Sequence, residues 1–352
     1  MSNIKVLCIA ETVKGGIATY LNVLDEINSE NIELCYLLPE EHKSYINSKG
    51  YVEYFSGTTR LKRFINLLSI LLKNKKLSGF DLIQANSTFA GLAAVLAACL
   101  TRRNIPIVYN SHGWSGMRKL GRFNEFISKM IDSYISSRVD YVINISNNDD
   151  RYFKALDLNT NSRVIKNAVD VKNFSIENGS NDDCLKLLFV GRLDPQKGFD
   201  LLEKAYSVAS KNRKIKLDVI GESVVSSGGS KKDDSGIVYL GWKSHEEVLS
   251  LYRFYDYLVV PSRWEGFGLV AIEAMGAGLP IIVSNQGALP EVAGDVGIVF
   301  KLDQPKALED LFLTVEKPDC LLRSKCAEFV KENYSVKDFL KDMEDVYKKV
   351  VG

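Results

Sequence analysis

Residues 256–285 read DYLVVPSRWEGFGLVAIEAMGAGLPIIVSN. The run LVVPS is apolar without alternation, as in a strand covered on both faces, RWEGFG is a loop, LVAIEAMGAG has the composition of a helix, and PIIVSN starts a second strand. A buried strand, a helix and another buried strand in succession define one unit of a parallel sheet with helices packed on it.

The same alternation extends outward through the chain. IKVLCIA, IELCYLL, DLIQAN, IPIVYN, YVINIS and RVIKN come before this unit, followed by LKLLFVGR, KLDVIG and IVYLGW, all separated by segments of helical length. The fold class is therefore α/β, built on parallel sheets. With 352 residues the chain exceeds one ordinary core and suits two domains. The patternless, polar VKNFSIENGSNDDC, with Asn-Gly-Ser turn chemistry, places the boundary near residues 170–184.

Composition narrows the class further. Hydrophobic residues make up 46% and charged residues 25%, as in ordinary globular proteins rather than disordered ones. The six cysteines are scattered without a CxxC, so they read as core residues of a reducing compartment, not as disulfides or zinc ligands. NIKVLCIA enters a strand at once, without a signal-peptide pattern, and FAGLAAVLAACL is too short to span a bilayer, so a cytoplasmic, non-spanning protein is expected. The net charge of +1 conceals a strong asymmetry: eleven Lys or Arg face the single acid Asp81 between Arg60 and Arg122. A surface of that kind attracts anionic membranes, phosphates or nucleic acid. RLKRFINLLSILLKNKK places Leu61, Phe64, Ile65, Leu68 and Leu72 at helical spacing between basic ends, which fits a helix lying on an anionic bilayer or one packed on the sheet. No recognition motif accompanies the charge, so nucleic acid is not expected.

Open parallel sheets bind ligands where strands end and helices begin. Four such loops stand out: ETVKGGIATY, YNSHGW, GRLDPQKG and SRWEGFG. In the last, the glycines let backbone N–H groups approach a ligand, and the helix directs its N-terminal donors at the same place, which suits a phosphate. Glu265 precedes the glycines, and Glu273 lies about 7–8 Å along the helix axis from Gly268. Two acceptors flanking a phosphate-sized opening match a nucleotide sugar; the alternative is a plain strand–turn–helix with both glutamates solvated. Arg192 and Lys197 flank the turn of GRLDPQKG, where Arg can fork to two diphosphate oxygens and Lys can act as a point charge. His112 ends a strand; His42 and His245 have no such context and read as surface residues. No D-x-D occurs and three scattered histidines make no ligand set, so no metal and no cofactor are expected.

GRLDPQKG, PSRWEGFGLVAIEAMGAGLPIIVSNQGALPEV and the Gly15-Gly16 loop resemble glycosyltransferase family 4, strongly over residues 188–300 and weakly before residue 105. The resemblance implies a GT-B fold of two Rossmann-like domains: an acceptor-binding domain over residues 1–168, on which the helix at 335–352 packs back, and a donor-binding domain over 169–334. It further implies retaining transfer of a hexose-type sugar from a UDP- or GDP-sugar to a saccharide acceptor, one carried on a polyprenyl diphosphate in bacterial surface polysaccharide synthesis (O-antigen, capsule or exopolysaccharide). Glu265 and His112 would contact the donor sugar, Glu273 the ribose hydroxyls, Arg192 and Lys197 the diphosphate. The amides around Gly266, Phe267, Gly268 and Leu269, with Gly15 and Gly16, would stabilise developing phosphate charge. Peripheral contact with the inner face of the plasma membrane would run through the basic 60–122 region. The chain departs from the family at Gly113, where an acid or amide is usual, at Ala168 in KNAVD, and in ESVVSSGGSKKDDSG after VIG. A nucleotide-sugar epimerase or hydrolase of the same fold, or a non-catalytic sugar-nucleotide binding protein, fits many of the same residues. A dinucleotide dehydrogenase does not, because ETVKGG lacks GxGxxG.

Overall fold

The computed structural model describes residues 3–28, 31–48, 50–73, 75–102, 104–118, 121–170, 183–221, 231–232, 236–304 and 306–352. Most of the inter-domain stretch VKNFSIENGSNDDC, most of the polar loop after VIG, and the basic residues Arg103 and Lys119 lie outside the described residues. The chain forms two compact units, Met1–Ala168 with Val336–Gly352, and Val169–Ser335.

The first unit is built on β1 (Ile4–Ile9), β2 (Ile32–Pro39), β3 (Tyr51–Phe55), β4 (Leu82–Asn86), β5 (Ile107–Asn110), β6 (Tyr141–Asn144) and β7 (Asn161–Val164). Their order is β3-β2-β1-β4-β5-β6-β7, and every neighbouring pair is parallel. Successive residues of a strand face opposite sides, so Val6 and Cys8 enter one core while Leu7 and Ile9 enter the other. The first core is closed by α1 (Gly16–Leu24) and by the C-terminal helix Val336–Val351. That helix buries Phe339, Met343, Val346 and Tyr347, a single stripe at i, i+4, i+7 and i+8. The second core is closed by α2 (Arg60–Lys73), α3 (Thr88–Thr101), α4 (Arg122–Ser136) and α5 (Asn147–Lys154). Alanines dominate the buried face of α3, and a Cβ on Gly91 would stand 2.7 Å from the Tyr109 ring, so helix and sheet meet there at backbone distance.

The second unit contains β8 (Leu185–Val190), β9 (Ile215–Ile220), β10 (Lys231–Lys232), β11 (Val238–Gly241), β12 (Tyr257–Val260), β13 (Ile281–Ser284) and β14 (Ile298–Phe300). The order is β10-β11-β9-β8-β12-β13-β14; β10 runs antiparallel to β11 and the other pairs are parallel. Helices α6 (Phe199–Ala209), α7 (His245–Leu251), α8 (Leu269–Gly276), α9 (Leu289–Ala293), α10 (Ala307–Thr314) and α11 (Cys320–Asn333) belong to this unit, and the C-terminal helix is α12. The unit read from residues 256–285 is β12-α8-β13, in parallel register from Leu258 opposite Ile281 to Val260 opposite Val283.

The α/β class with two parallel sheets holds, and three details differ. The edge strands β3 and β14 escape the pattern, β3 because Glu53 interrupts its half-exposed run and β14 because it is only 3 residues long. RVIKN contributes only Arg163 and Val164 to β7, which begins at Asn161. On α2 the buried residues are Leu67 and Leu71, with Phe64, Leu68 and Leu72 packed beside them, whereas Leu61 and Ile65 are exposed. The helix is therefore a layer of the first unit whose N-terminal half alone presents apolar side chains to solvent.

Candidate active site

In the second unit, the singled-out residues gather at the C-terminal edge of the sheet. GRLDPQKG leaves β8, SRWEGFG leaves β12, and the two loops are packed at backbone distance: a Cβ on Gly198, whose φ is +69°, would lie 2.1 Å from the Pro261 carbonyl oxygen. Gly287, with φ +60°, brings the loop after β13 equally close, since a Cβ there would lie 2.0 Å from the carbonyl oxygen of Glu265. Only glycine combines this positive φ with the missing side chain. The Glu265 backbone is thus wedged by its neighbours, and side-chain bonds complete the hold. Arg263 forks onto Asp200 at 2.6 Å through both terminal nitrogens, its N–H donates to the Gln196 carbonyl at 2.8 Å, and Gln196 Nε2 donates to the Trp264 carbonyl at 3.3 Å.

Within this frame Lys197 Nζ stands 2.6 Å from Glu265 Oε2, which also accepts from Ser262 Oγ at 3.2 Å. Both side chains are largely shielded, at 19% and 12% exposure. Arg192 projects further into solvent, pairing with Asp194 at 3.1 Å and donating to Gln196 Oε1 at 3.0 Å. Gly266 and Phe267 lead to Gly268, the N-cap of α8, whose φ of +94° again favours glycine. Among the described residues no side chain caps α8, so the donors at Leu269 and the next residue face the same loop as Lys197 and Glu265. Glu273 lies in the second turn of α8, largely buried, and its Oε1 is 3.1 Å from His245 Nε2 at the start of α7. The buried Tyr252 hydroxyl has no hydrogen-bond partner among the described residues; burial first, and then the Glu273 carboxylate, raise its pKa well above the usual tyrosine range.

The first unit brings its singled-out loops to the corresponding edge of its own sheet. Gly15 adopts φ +56° and ψ −131°, a glycine conformation, and caps α1 without any side-chain hydrogen bond, while Gly16 opens the helix. Nothing lies within 4 Å of where a Gly15 Cβ would be, so the loop is open there. Behind it, fully buried Glu11 accepts from Arg60 Nε at 2.9 Å and Nη2 at 2.7 Å and from the Ser87 hydroxyl.

His112 also has a left-handed backbone, φ +50°, and is followed by Gly113 at +98°. Its Nε2 lies 3.3 Å from Asn86 Oδ1, and its ring meets Tyr20 edge-on at 4.5 Å. Asn86 Oδ1 already accepts from Gln84 Nε2, so this contact assigns the ring proton to His112 Nε2 and leaves Nδ1 as an acceptor. Burial pushes the His112 pKa down to about 3, so the ring is neutral near pH 7. The chain of contacts continues from Gln84 to the Tyr347 hydroxyl, so α12 supports the His112 loop from beneath the sheet.

One histidine departs from the surface reading, and a second is exposed as read but contacts Glu273. His42 is buried, and its Nδ1 accepts from the Val13 N–H at 3.1 Å, bracing the loop that carries Gly15 and Gly16. His245 sits on Glu273; the Ser244–Glu247 capping box marks where α7 begins at the sheet edge and is the signal that would have found it. Glu11 was inside a quoted loop, but nothing in its neighbours announced that it is buried.

Two Rossmann-like sheets whose strand ends present glycine-bearing loops define the GT-B glycosyltransferase architecture. The family model for group 1 glycosyl transferases matches residues 170–335, and that for glycosyltransferase family 4 matches residues 18–173. A Klebsiella pneumoniae protein from a cps region, described as an uncharacterised 41.2 kDa protein, is 31% identical over 97% of this chain and 99% of its own. An uncharacterised glycosyltransferase of Methanocaldococcus jannaschii is 31% identical over 78% of this chain and 75% of its own. An Escherichia coli UDP-Gal:alpha-D-GlcNAc-diphosphoundecaprenol alpha-1,3-galactosyltransferase is 26% identical over 64% and 62%. Among solved structures, Anabaena HepE in complex with UDP and glucose shares the fold with a TM-score of 0.78 at 16% identity, covering 99% of this chain and all of the other. The chain belongs to the family 4 glycosyltransferases.

Proposed function

We propose that this glycosyltransferase moves a hexose-type sugar from a UDP- or GDP-sugar to a saccharide acceptor in bacterial surface polysaccharide synthesis, with retention of configuration and without a metal. The observation that carries the reading is the Lys197–Glu265 pair at the uncapped N-terminus of α8, with Glu273 in the second turn of the same helix. A cation, a row of backbone donors and two carboxylates fit a diphosphate between two sets of hydroxyls. In this reading Lys197, Arg192 and the α8 amides stabilise the leaving diphosphate, Glu265 orients the donor sugar, and Glu273 holds the ribose. Neutral His112, with an accepting Nδ1, bonds a sugar hydroxyl. The C1–phosphate bond breaks as the acceptor oxygen attacks the same face of the sugar, and the departing phosphate oxygen takes the acceptor proton. Residues 1–168 with α12 would bind the acceptor and Val169–Ser335 the donor.

The polysaccharide setting is supported by the cps-region relative, and a lipid diphosphate acceptor by the galactosyltransferase relative. Peripheral contact with an anionic membrane through the basic 60–122 region fits such an acceptor. The test is incubation with a panel of UDP- and GDP-sugars and a short lipid-linked saccharide, with NMR assignment of the new anomeric linkage. A product of unchanged anomeric configuration is expected. Donor consumption without acceptor, releasing an epimer or free sugar, would favour the epimerase or hydrolase reading instead.

A further inference from the structure

The N-terminal half of α4 is attached to the first unit along one edge only. The C-terminal half anchors the helix through Asp132, which is buried and accepts from Ser115 Oγ and the Gly116 N–H at 2.7 Å and from the Tyr152 hydroxyl at 3.0 Å, and through buried Ile135. Its outer face carries Phe123, Phe126, Ile127 and Met130, exposed at 74, 61, 39 and 57%. The spacing i, i+3, i+4, i+7 is that of the buried stripe of an ordinary helix, yet here the stripe faces solvent. Four large apolar side chains in one row are a patch of the kind that marks a partner.

The surroundings identify the partner. Arg122 and Lys129 are exposed on α4 itself, and Glu125 is the acid on the same half. Arg118 precedes the helix with its Nε buried, and the start of α2 adds the exposed Arg60. There Leu61 and Ile65 are exposed beside Lys62. Helices α2, α3 and α4 pack side by side, and in a parallel sheet their first turns all rise from the strand ends, the edge where Gly15 and His112 lie.

We infer that the N-terminal half of α4 inserts Phe123, Phe126, Ile127 and Met130 into the headgroup boundary of an anionic bilayer, with Arg122, Lys129 and the start of α2 on the lipid phosphates. An apolar row with a cationic rim is the layout of an interfacial helix, in which buried apolar area and attraction to anionic lipid act together. A second copy of the chain fits less well, because a two-fold contact would set the cationic rim against itself. The inference deepens the membrane contact proposed above by naming the element and face that enter the lipid, and places it largely beyond the basic 60–122 segment.

The test is co-sedimentation of the full chain with phosphatidylglycerol/phosphatidylcholine vesicles and with pure phosphatidylcholine vesicles, in the absence of donor and acceptor, so that its result is independent of the transfer reaction. Binding to the anionic vesicles is expected, at least tenfold weaker binding to the neutral ones, and a loss of at least tenfold in the Phe123→Ser, Phe126→Ser double variant with an unchanged melting temperature. That variant should retain wild-type transfer to a water-soluble acceptor analogue. Should its melting temperature change, Phe126→Trp decides: its emission shifts to the blue on anionic vesicles if α4 inserts, and stays unshifted if it does not. The inference is overturned if wild type ignores anionic vesicles at low salt, if the double variant binds like wild type, or if the variant's effect is to dissolve a dimer of a protein that does not bind lipid.

Discussion

Lys197 Nζ lies 2.6 Å from Glu265 Oε2, joining two loops whose residues are 68 positions apart in sequence. With little water around either group, each is the other's main compensation, and removing one strands the other. Lys197→Ala and Glu265→Ala should each destabilise the second unit by about 3 kcal/mol, while the double variant costs less than the sum. A double-mutant cycle from urea unfolding checks this, and strict additivity would show that the two groups are not coupled.

Glu273 supplies a second, separable test. If its carboxylate holds ribose hydroxyls, Glu273→Ala weakens binding of the cognate nucleoside diphosphate by about tenfold or more, the scale of a lost charge-assisted hydrogen bond. The same substitution should have almost no effect on a 2′,3′-dideoxy analogue. Equal losses for both ligands would remove the ribose from the account.

Lys197 and Glu265 were legible for a simple reason: they follow buried, uninterrupted apolar strands, and the loops at such strand ends are where a parallel sheet must put its ligand. Gly198, Gly268 and Gly287 strengthen the point, because each holds a positive φ at a place where loops converge. Other features carried no periodic signal. A lone His42 looks the same in sequence whether it is exposed or, as here, accepts from the Val13 amide behind the Gly15 loop. The α4 stripe has the spacing of a core face, and only the packing shows that nothing among the described residues covers it. Strand β3 was hidden because, at the sheet edge, its residues are mostly half-exposed and Glu53 breaks the apolar run that reveals central strands.

Gly287 tests the wedge behind Glu265. Alanine there demands a positive φ and places Cβ 2.0 Å from the Glu265 carbonyl oxygen, so that loop must move. Gly287→Ala should lower kcat by about tenfold or more, since displacements near 1 Å cost about a hundredfold in well-oriented sites. Gly15→Ala meets no obstructing atom and suffers only backbone strain, about 1–3 kcal/mol. Steady-state kinetics and thermal melts of the two variants distinguish the cases.

His112 gives a pH signature. Its folded pKa is pushed down to about 3 from 6.5, so between those values the unfolded chain binds more protons than the folded one. Stability contributed in this way is intact above pH 6.5 and declines as the pH falls toward 3, with a slope approaching about 1.4 kcal/mol per pH unit for one proton. His112→Asn should lose that component of the acid slope, measured as the difference between the two proteins' unfolding free energies from pH 7 to pH 4. Parallel curves would contradict the neutral, desolvated imidazole.

The central claim is that a nucleoside diphosphate binds between Lys197 and the α8 amides, and calorimetric titration with UDP and with GDP tests it most directly. Wild type is predicted to bind one of them, and Arg192→Ala with Lys197→Ala to bind it at least a hundredfold more weakly while remaining folded. Equal affinity in wild type and the double variant, or no binding of either nucleotide to wild type, would contradict the account.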